Sequence, residues 1–327
     1  MADLFGINGK TFQKLSKNKL SDYLNWEQKP HAGDWILYFC NLSDSLSLDE
    51  VALSDGELYS VLTSKKAKGR KGSIVAIVKG TKSDIVIEHL LRIIRKLRKK
   101  VKEITLDMAG SMKRIAKRCF PNASQVIDRF DVQKLATEAL QEMRIKYRWE
   151  AIERENELIE NHSKDNKPII IEVFGNDDSR KQLLARSRYL LYISREKWKE
   201  SQKQRAEILF REYPDLEKAY ALTDGLRKIY NQNIVKSVAM TKLAHWFREV
   251  EEAGFRSFFT LRKTVMIHYR DILNYFDKRS TNAAESFNAK IKNFRLQLRG
   301  VKDRTFFLFR LTKLFAWPPS LSPEPIF

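Results

Sequence analysis

Three carboxylates stand where the surrounding residues predict a strand end or the first turn of a helix: Asp49, Asp107 and Glu285. Strand ends in an α/β sheet bring residues that are remote in sequence to one edge. Carboxylates gathered there repel one another unless a hard divalent cation lies between them. Mg2+ takes one or two carboxylates together with substrate phosphate oxygens. Two such ions about 3.5–4 Å apart activate a water or a 3′-hydroxyl and stabilise the leaving oxygen of a phosphodiester. Each acid also has a plain structural reading. Asp49 suits a solvated strand end and Asp107 a cap on the helix after it. Asn282-Ala283-Ala284-Glu285 has capping-box spacing, with Asn282 as N-cap and Glu285 at N3. Spacing alone favours the plain reading for all three.

The elements that must carry these acids form an α/β plan. Residues 47–53, 57–62 and 73–78 are short runs rich in β-branched or apolar residues, separated by Asp55-Gly56 and by a basic loop over 65–72. They predict a meander of three strands. Ser83-Asp84 can cap a helix over 85–100, with Ile87, Leu90, Leu91, Ile94 and Leu97 on one face. A strand at 103–107, a helix at 111–119 and a strand at 125–128 follow, and Pro121 marks the turn between the last two. From Val132 to about Tyr275 the pattern is helical, apart from a candidate strand at 168–173. That stretch holds three of the six tryptophans (Trp149, Trp198 and Trp246) with Tyr189, Phe210 and Phe247, which predicts a core of its own. A last helix starts after Asn282 and runs past Arg299. Before the first strand the chain is irregular, with one amphipathic candidate at 11–26. The prolines at 318, 319, 323 and 325 predict a loose tail.

Composition narrows the partner. Lys and Arg number 61 against 41 Asp and Glu, a net charge of +20, which attracts phosphate backbones or anionic surfaces. A hydrophobic share of 43% excludes a disordered chain. Cys40 and Cys119 form neither a disulfide framework nor a zinc module, and the five histidines have no metal-ligand spacing. No apolar run reaches the ~18–20 residues that span a bilayer, and the first residues do not resemble a signal peptide. A cytoplasmic, nucleoid-associated protein is expected.

The wording around the acids is more specific than their spacing. Leu48-Asp49-Glu50, Leu53-Ser54-Asp55-Gly56-Glu57-Leu58-Tyr59, Ile104-Thr105-Leu106-Asp107 and Phe120-Pro121-Asn122-Ala123 come first. Val126-Ile127-Asp128-Arg129-Phe130 and Ala284-Glu285-Ser286-Phe287-Asn288-Ala289-Lys290-Ile291-Lys292 complete the ordered set. Together they resemble the DDE transposases of bacterial insertion sequences, above all the ISL-type group and its ISAon-type relatives. The resemblance covers roughly residues 46–317. It implies an RNase H-like mixed sheet flanked by helices and interrupted by a large, mainly α-helical insertion before the last catalytic acid. It implies Asp49, Asp107 and Glu285 as catalytic and metal-binding residues, with two Mg2+ or Mn2+ ions. Asp128 is a candidate for the surrounding shell.

The expected division is an N-terminal extension (1–45), the first part of the catalytic domain (46–131), the helical insertion (132–279), the last helical part of the catalytic domain (280–317) and the tail (318–327). The family usually reads Asp-Arg-Phe-His where this chain has Asp128-Arg129-Phe130-Asp131. Asp131 either lowers activity by repelling phosphate or, as expected here, turns away as the N-cap of a helix starting at Val132. Relatives often carry a zinc ribbon and a helix-turn-helix ahead of the catalytic domain. No such cysteine spacing exists here, so a separate upstream DNA-recognition protein is expected to help.

Two basic clusters flank the acids, eleven Lys or Arg between Leu91 and Arg118 and eight between Ser286 and Lys313. They suit a phosphate-lined channel for double-stranded DNA, both element ends and target. Lys113, Arg114, Lys290 and Arg295 are candidate contacts. Glu285, Asn288 and Lys292 share a helix face, where Asn288 would hydrogen-bond a phosphate and Lys292 neutralise one. The expected function is strand cleavage and transfer at element ends by a homo-oligomer assembled on DNA. The rivals are a nuclease or resolvase without strand transfer and a non-catalytic, transposase-derived DNA-binding protein. Joined product from a pre-cleaved 3′-hydroxyl end separates the first, and metal-dependent nicking that disappears on Asp107→Ala excludes the second.

Overall fold

The computed structural model describes residues 6–54, 56–165, 171–278, 283–298 and 300–317, and of 54, 163–165, 278 and 283–285 the backbone alone. The expected tail (318–327) and the proposed N-cap Asn282 lie outside the described residues, as does the side chain of Glu285. The chain divides into two units, Met1–Asp128 with Arg279–Phe327 and Arg129–Lys278.

The first unit opens with a short helix, α1 (Gly9–Leu15), and one wide helical turn, Ser16–Leu20, in place of the longer amphipathic helix expected over 11–26. It is then built on a six-stranded sheet. β1 (Trp35–Leu37), β2 (Ser45–Ser54), β3 (Glu57–Ser64) and β4 (Ile74–Lys79) precede two helices, α2 (Ser83–Leu90) and α3 (Arg95–Arg98). Then come β5 (Glu103–Leu106), α4 (Gly110–Cys119) and β6 (Ser124–Ile127). The spatial order is β1-β4-β3-β2-β5-β6. The first four strands pair antiparallel, whereas β2/β5 and β5/β6 are parallel. Parallel neighbours need crossovers, and the helices that supply them cover a face of the sheet.

Alternation along β2 sorts its side chains between two cores. Leu46 and Leu48 join Leu62, Val86, Leu90, Ile104, Leu106, Met112 and Ile115 on one side. Val51 and Leu53 join Val61, Ile77, Phe287, Ile291, Phe307 and Leu311 on the other. The second side is closed by α12 (Ala283–Gln297) and α13 (Arg304–Phe315), helices from the far end of the chain. Asp303 caps α13 by accepting a hydrogen bond from the Phe306 N–H at 3.0 Å.

Two helices expected to be continuous are split. The single helix expected over 85–100 is broken, because the buried Arg98 side chain donates to the Ile93 carbonyl (2.9 Å) and the Cys119 carbonyl (2.7 Å) and so pins a turn there. The buried face is Val86, Leu90 and Ile93, while Ile94 is 65% exposed. The last helix is likewise two, α12 and α13.

The second unit contains α5 (Arg129–Asp165), α6 (Arg180–Arg186), α7 (Glu200–Glu212), α8 (Pro214–Asn231), α9 (Lys236–Ala253), α10 (Arg256–Ile267) and α11 (Tyr269–Lys278). Pro214 suits the first turn of α8, where its missing N–H costs nothing. Gly254 ends α9 in the left-handed conformation, φ 71°. Leu140, Leu183, Leu209, Tyr220, Leu243, Trp246 and Phe258 are buried. Trp246 donates its indole N–H to the Leu222 carbonyl at 2.9 Å. Trp149 and Tyr189, expected in this core, are exposed instead. Of the candidate strand at 168–173, residues up to 170 lie outside the described residues, and Val173 makes one isolated bridge with Ser179. Helix α5 begins at Arg129, so Asp131 lies inside its first turn rather than at the N-cap, where its charge suits the helix dipole.

Candidate active site

The parallel register brings the first two acids together. β2 pairs with β5 through Ser45↔Glu103, Leu46↔Ile104 and Ser47↔Thr105. Continued by two residues, the same register sets Asp49 opposite Asp107, the residue just after β5. β5 pairs with β6 up to Leu106↔Ile127, so one further step sets Asp107 opposite Asp128. Three aspartates thus stand in a row across neighbouring strands, about 4.8 Å from strand to strand. By alternation Asp49 shares the face of Val51, which packs against α12.

Each side chain has a definite setting. Asp49 Oδ1 accepts the Glu50 N–H at 2.7 Å, and its Oδ2 accepts from the Asn288 amide at 2.7 Å. The same Asn288 nitrogen reaches the Glu50 carbonyl at 3.2 Å. Asp107 Oδ1 accepts the Ala109 N–H at 2.8 Å, so the local turn leading into α4 is present alongside the alignment with Asp49. Asp128 is buried at 1% exposure. Four residues down the strands, Glu103 is balanced: Lys65 Nζ lies 2.9 Å from its carboxylate and 2.7 Å from the Thr105 hydroxyl.

Glu50 reports the field at the row. Its pKa is raised above the ordinary glutamate value by burial first, then by the charges of Asp107 and Asp49. Sequence reasoning assigned Glu50 no role, although its place beside Asp49 was the available signal.

Asn288 is 6% exposed, and its Oδ1 finds no hydrogen-bond donor among the described residues. An orphaned, buried amide oxygen beside a fixed carboxylate fits a hard-cation site, whose ligands are oxygens. Among the described residues no three His, Cys, Asp or Glu side chains are gathered closely enough to hold a metal. The side chain of Glu285 lies outside the residues so described. Its backbone is in α12, one turn before Asn288.

The expected DNA contacts fare differently. Asn288 directs its amide to Asp49 and the Glu50 carbonyl, not outward to a phosphate. Lys290 donates to the Gly69 carbonyl at 2.8 Å, and Arg295 to the Leu53 carbonyl at 2.9 Å. Arg114 pairs with Asp84 at 2.7 Å on the surface, where such a pair is easily exchanged for a phosphate. Lys113 is half-buried, and Lys292 is exposed.

Asp49, expected at a strand end, lies in the middle of β2, aligned with Asp107 just beyond β5, in a unit whose 32 Lys and Arg against 17 Asp and Glu attract phosphate polymers. The family model of the ISL3-type DDE transposases, described as a transposase, matches residues 46–311. The chain belongs to that family, whose members are DNA-cutting enzymes. No curated protein matches it. Among the described residues no helix is long and apolar enough to cross a membrane.

Proposed function

We propose that the chain cleaves and joins DNA strands at insertion-sequence ends, on an RNase H-like sheet, with Asp49, Asp107 and Glu285 as the metal-holding acids. The observation that carries this reading is the alignment of Asp49 with Asp107, whose combined charge is felt by Glu50. Two Mg2+ or Mn2+ ions, when bound, would polarise the phosphodiester and make a water or a 3′-hydroxyl nucleophilic.

The chain's own residues prepare that chemistry. Asn288 holds the Asp49 carboxylate in one orientation, which avoids reorganisation when substrate arrives. The Ala109 N–H does the same for Asp107. Lys292, exposed on the helix that carries Asn288, neutralises a backbone phosphate. Element ends and target are double-stranded DNA. The working form is a homo-oligomer on DNA, helped by an upstream recognition protein, in a cytoplasmic, nucleoid-associated setting.

A strand-transfer assay tests this reading. With Mg2+ and an element end that already carries a free 3′-hydroxyl, joined product should form and should disappear with Asp107→Ala. Nicking without joining would leave a nuclease, and no metal-dependent nicking at all would leave a DNA-binding protein.

A further inference from the structure

The loop between β3 and β4 carries charge that the site described above does not use. Residues 65–72 read Lys-Lys-Ala-Lys-Gly-Arg-Lys-Gly, and the 26 residues from 58 to 83 contain no acid. Lys68, Arg70 and Lys71 are exposed, and none of the three meets a carboxylate among the described residues.

The loop is held in shape. Lys68, Gly69 and Gly72 have φ of 50°, 70° and 93°, left-handed backbone that favours glycine at two of the three positions. The Gly72 N–H donates to the Phe315 carbonyl at 3.0 Å, and Lys290 donates to the Gly69 carbonyl. A Cβ at Gly69 would come within 2.7 Å of Lys290 Nζ, and one at Gly72 within 2.8 Å of the Trp317 ring. Lys71 lies over that ring, 4.6 Å from its centroid. Lys65 anchors the base of the loop on Glu103. Three cations are thus presented on a fixed turn, with no counter-charge beside them among the described residues.

Helix α12 ties this turn to the acids, since Asn288 grips Asp49 and Lys290 grips Gly69. Along β2 the loop begins at the rung of Ser45, four residues from Asp49. That is about 13 Å of strand, or about four base pairs of duplex at 3.4 Å each.

We infer that Lys68, Arg70 and Lys71 form a docking surface for the phosphate backbone of duplex DNA flanking the cut site. The inference rests on the transposase reading for the identity of the polyanion. It adds a phosphate-binding surface that neither basic cluster supplies.

The test is the salt dependence of binding to a 30-base-pair duplex of arbitrary sequence, followed by fluorescence anisotropy in EDTA so that cleavage plays no part. Lys68→Gln/Arg70→Gln/Lys71→Gln should lower the steepness of the log–log salt slope by about 2 to 3, at about 0.9 for each phosphate no longer neutralised. Affinity near 0.1 M salt should fall by more than about tenfold. The charge-keeping variant Lys68→Arg/Arg70→Lys/Lys71→Arg should restore both. Melting temperatures should match wild type, because the substituted groups are exposed.

A wild-type slope that is steep and shared by the triple Gln variant would overturn the loop's role and leave the transposase reading standing. If the wild-type chain shows no salt-dependent binding, both fall. Binding of an acidic protein that disappears with the Gln variant while DNA binding persists would assign the surface to that partner instead.

Discussion

The two units treat charge in opposite ways. In the helical unit 29 Lys and Arg face 24 Asp and Glu, and the buried acids Glu155, Asp178 and Asp224 are paired. Asp178, fully buried, bonds Arg186 and, at 3.1 Å, Arg205. Asp224 holds Arg227 at 2.7 Å and Lys228 at 3.1 Å, and Lys181 lies 2.6 Å from Glu155. The sheet unit has an excess of fifteen positive charges, yet it aligns Asp49 with Asp107, whose charges raise the pKa of Glu50, while giving Lys68 and Arg70 no carboxylate among the described residues. Charges matched inside the fold maintain the fold. Like charges set beside like are what the proposed reading assigns to a partner from outside the fold.

The contrast makes a series of predictions. The largest effect is expected at the row of acids. Asp107→Asn should reduce Mg2+-dependent nicking by about a thousandfold or more, with no fall in melting temperature, because it removes a like charge while its amide oxygen still accepts the Ala109 N–H. Early melting with activity kept in proportion to folded protein would reverse the assignment of roles.

In the helical unit the outcome should be the opposite. Asp178→Asn strips a buried partner from Arg186 and Arg205, and a urea titration should show a loss of about 2–3 kcal/mol. That is below the usual cost of breaking a buried pair, because both arginines reach solvent. Nicking per folded molecule should not change.

Asn288→Leu comes next, with a loss of about 10–100-fold in activity and a higher Mg2+ concentration at half-maximal rate. An unchanged Mg2+ requirement would make Asn288 a packing residue only.

Glu50→Gln is the smallest effect. The folded-state pKa of Glu50 is raised, so the stability tied to its protonated form is fully present below the ordinary value of 4.5 and is lost as pH rises through the raised one. Gln stays neutral. The variant should therefore be slightly more stable than wild type at neutral pH without metal, with the gain vanishing toward pH 4. Urea midpoints across that range provide the check.

What could be read from the residues follows the range of the forces involved. β2, β3 and β4 were visible because their apolar and β-branched runs report burial locally. β1 was not: it has three residues and exists through pairing such as Trp35↔Val78. The break after α2 depends on Arg98 reaching Cys119, a contact outside any helical pattern. Trp149 misled because hydrophobicity predicts burial only on average, and here the ring is 57% exposed. At the site, Asp49 and Asp107 were candidates from the text around them, and the register that aligns them shows only in the strand pairing. The role of Asn288 was not visible, because 239 residues separate it from the carboxylate it holds. Helix α5 starts at Arg129, ahead of the N-cap expected at Asp131, a shift ordinary for helix ends, where capping and first-turn positions suit the same residue types.

The central claim is that the edge bearing Asp49 and Asp107 is a divalent-cation site completed by Glu285. The most direct measurement is Mn2+ binding to the wild-type chain and to Asp107→Asn, followed by the loss of the free-ion paramagnetic resonance signal in the presence of uncleavable duplex DNA. The account predicts about two bound ions per wild-type chain, at least one fewer in Asp107→Asn, and equal melting temperatures. Equal Mn2+ binding by the two proteins would contradict it.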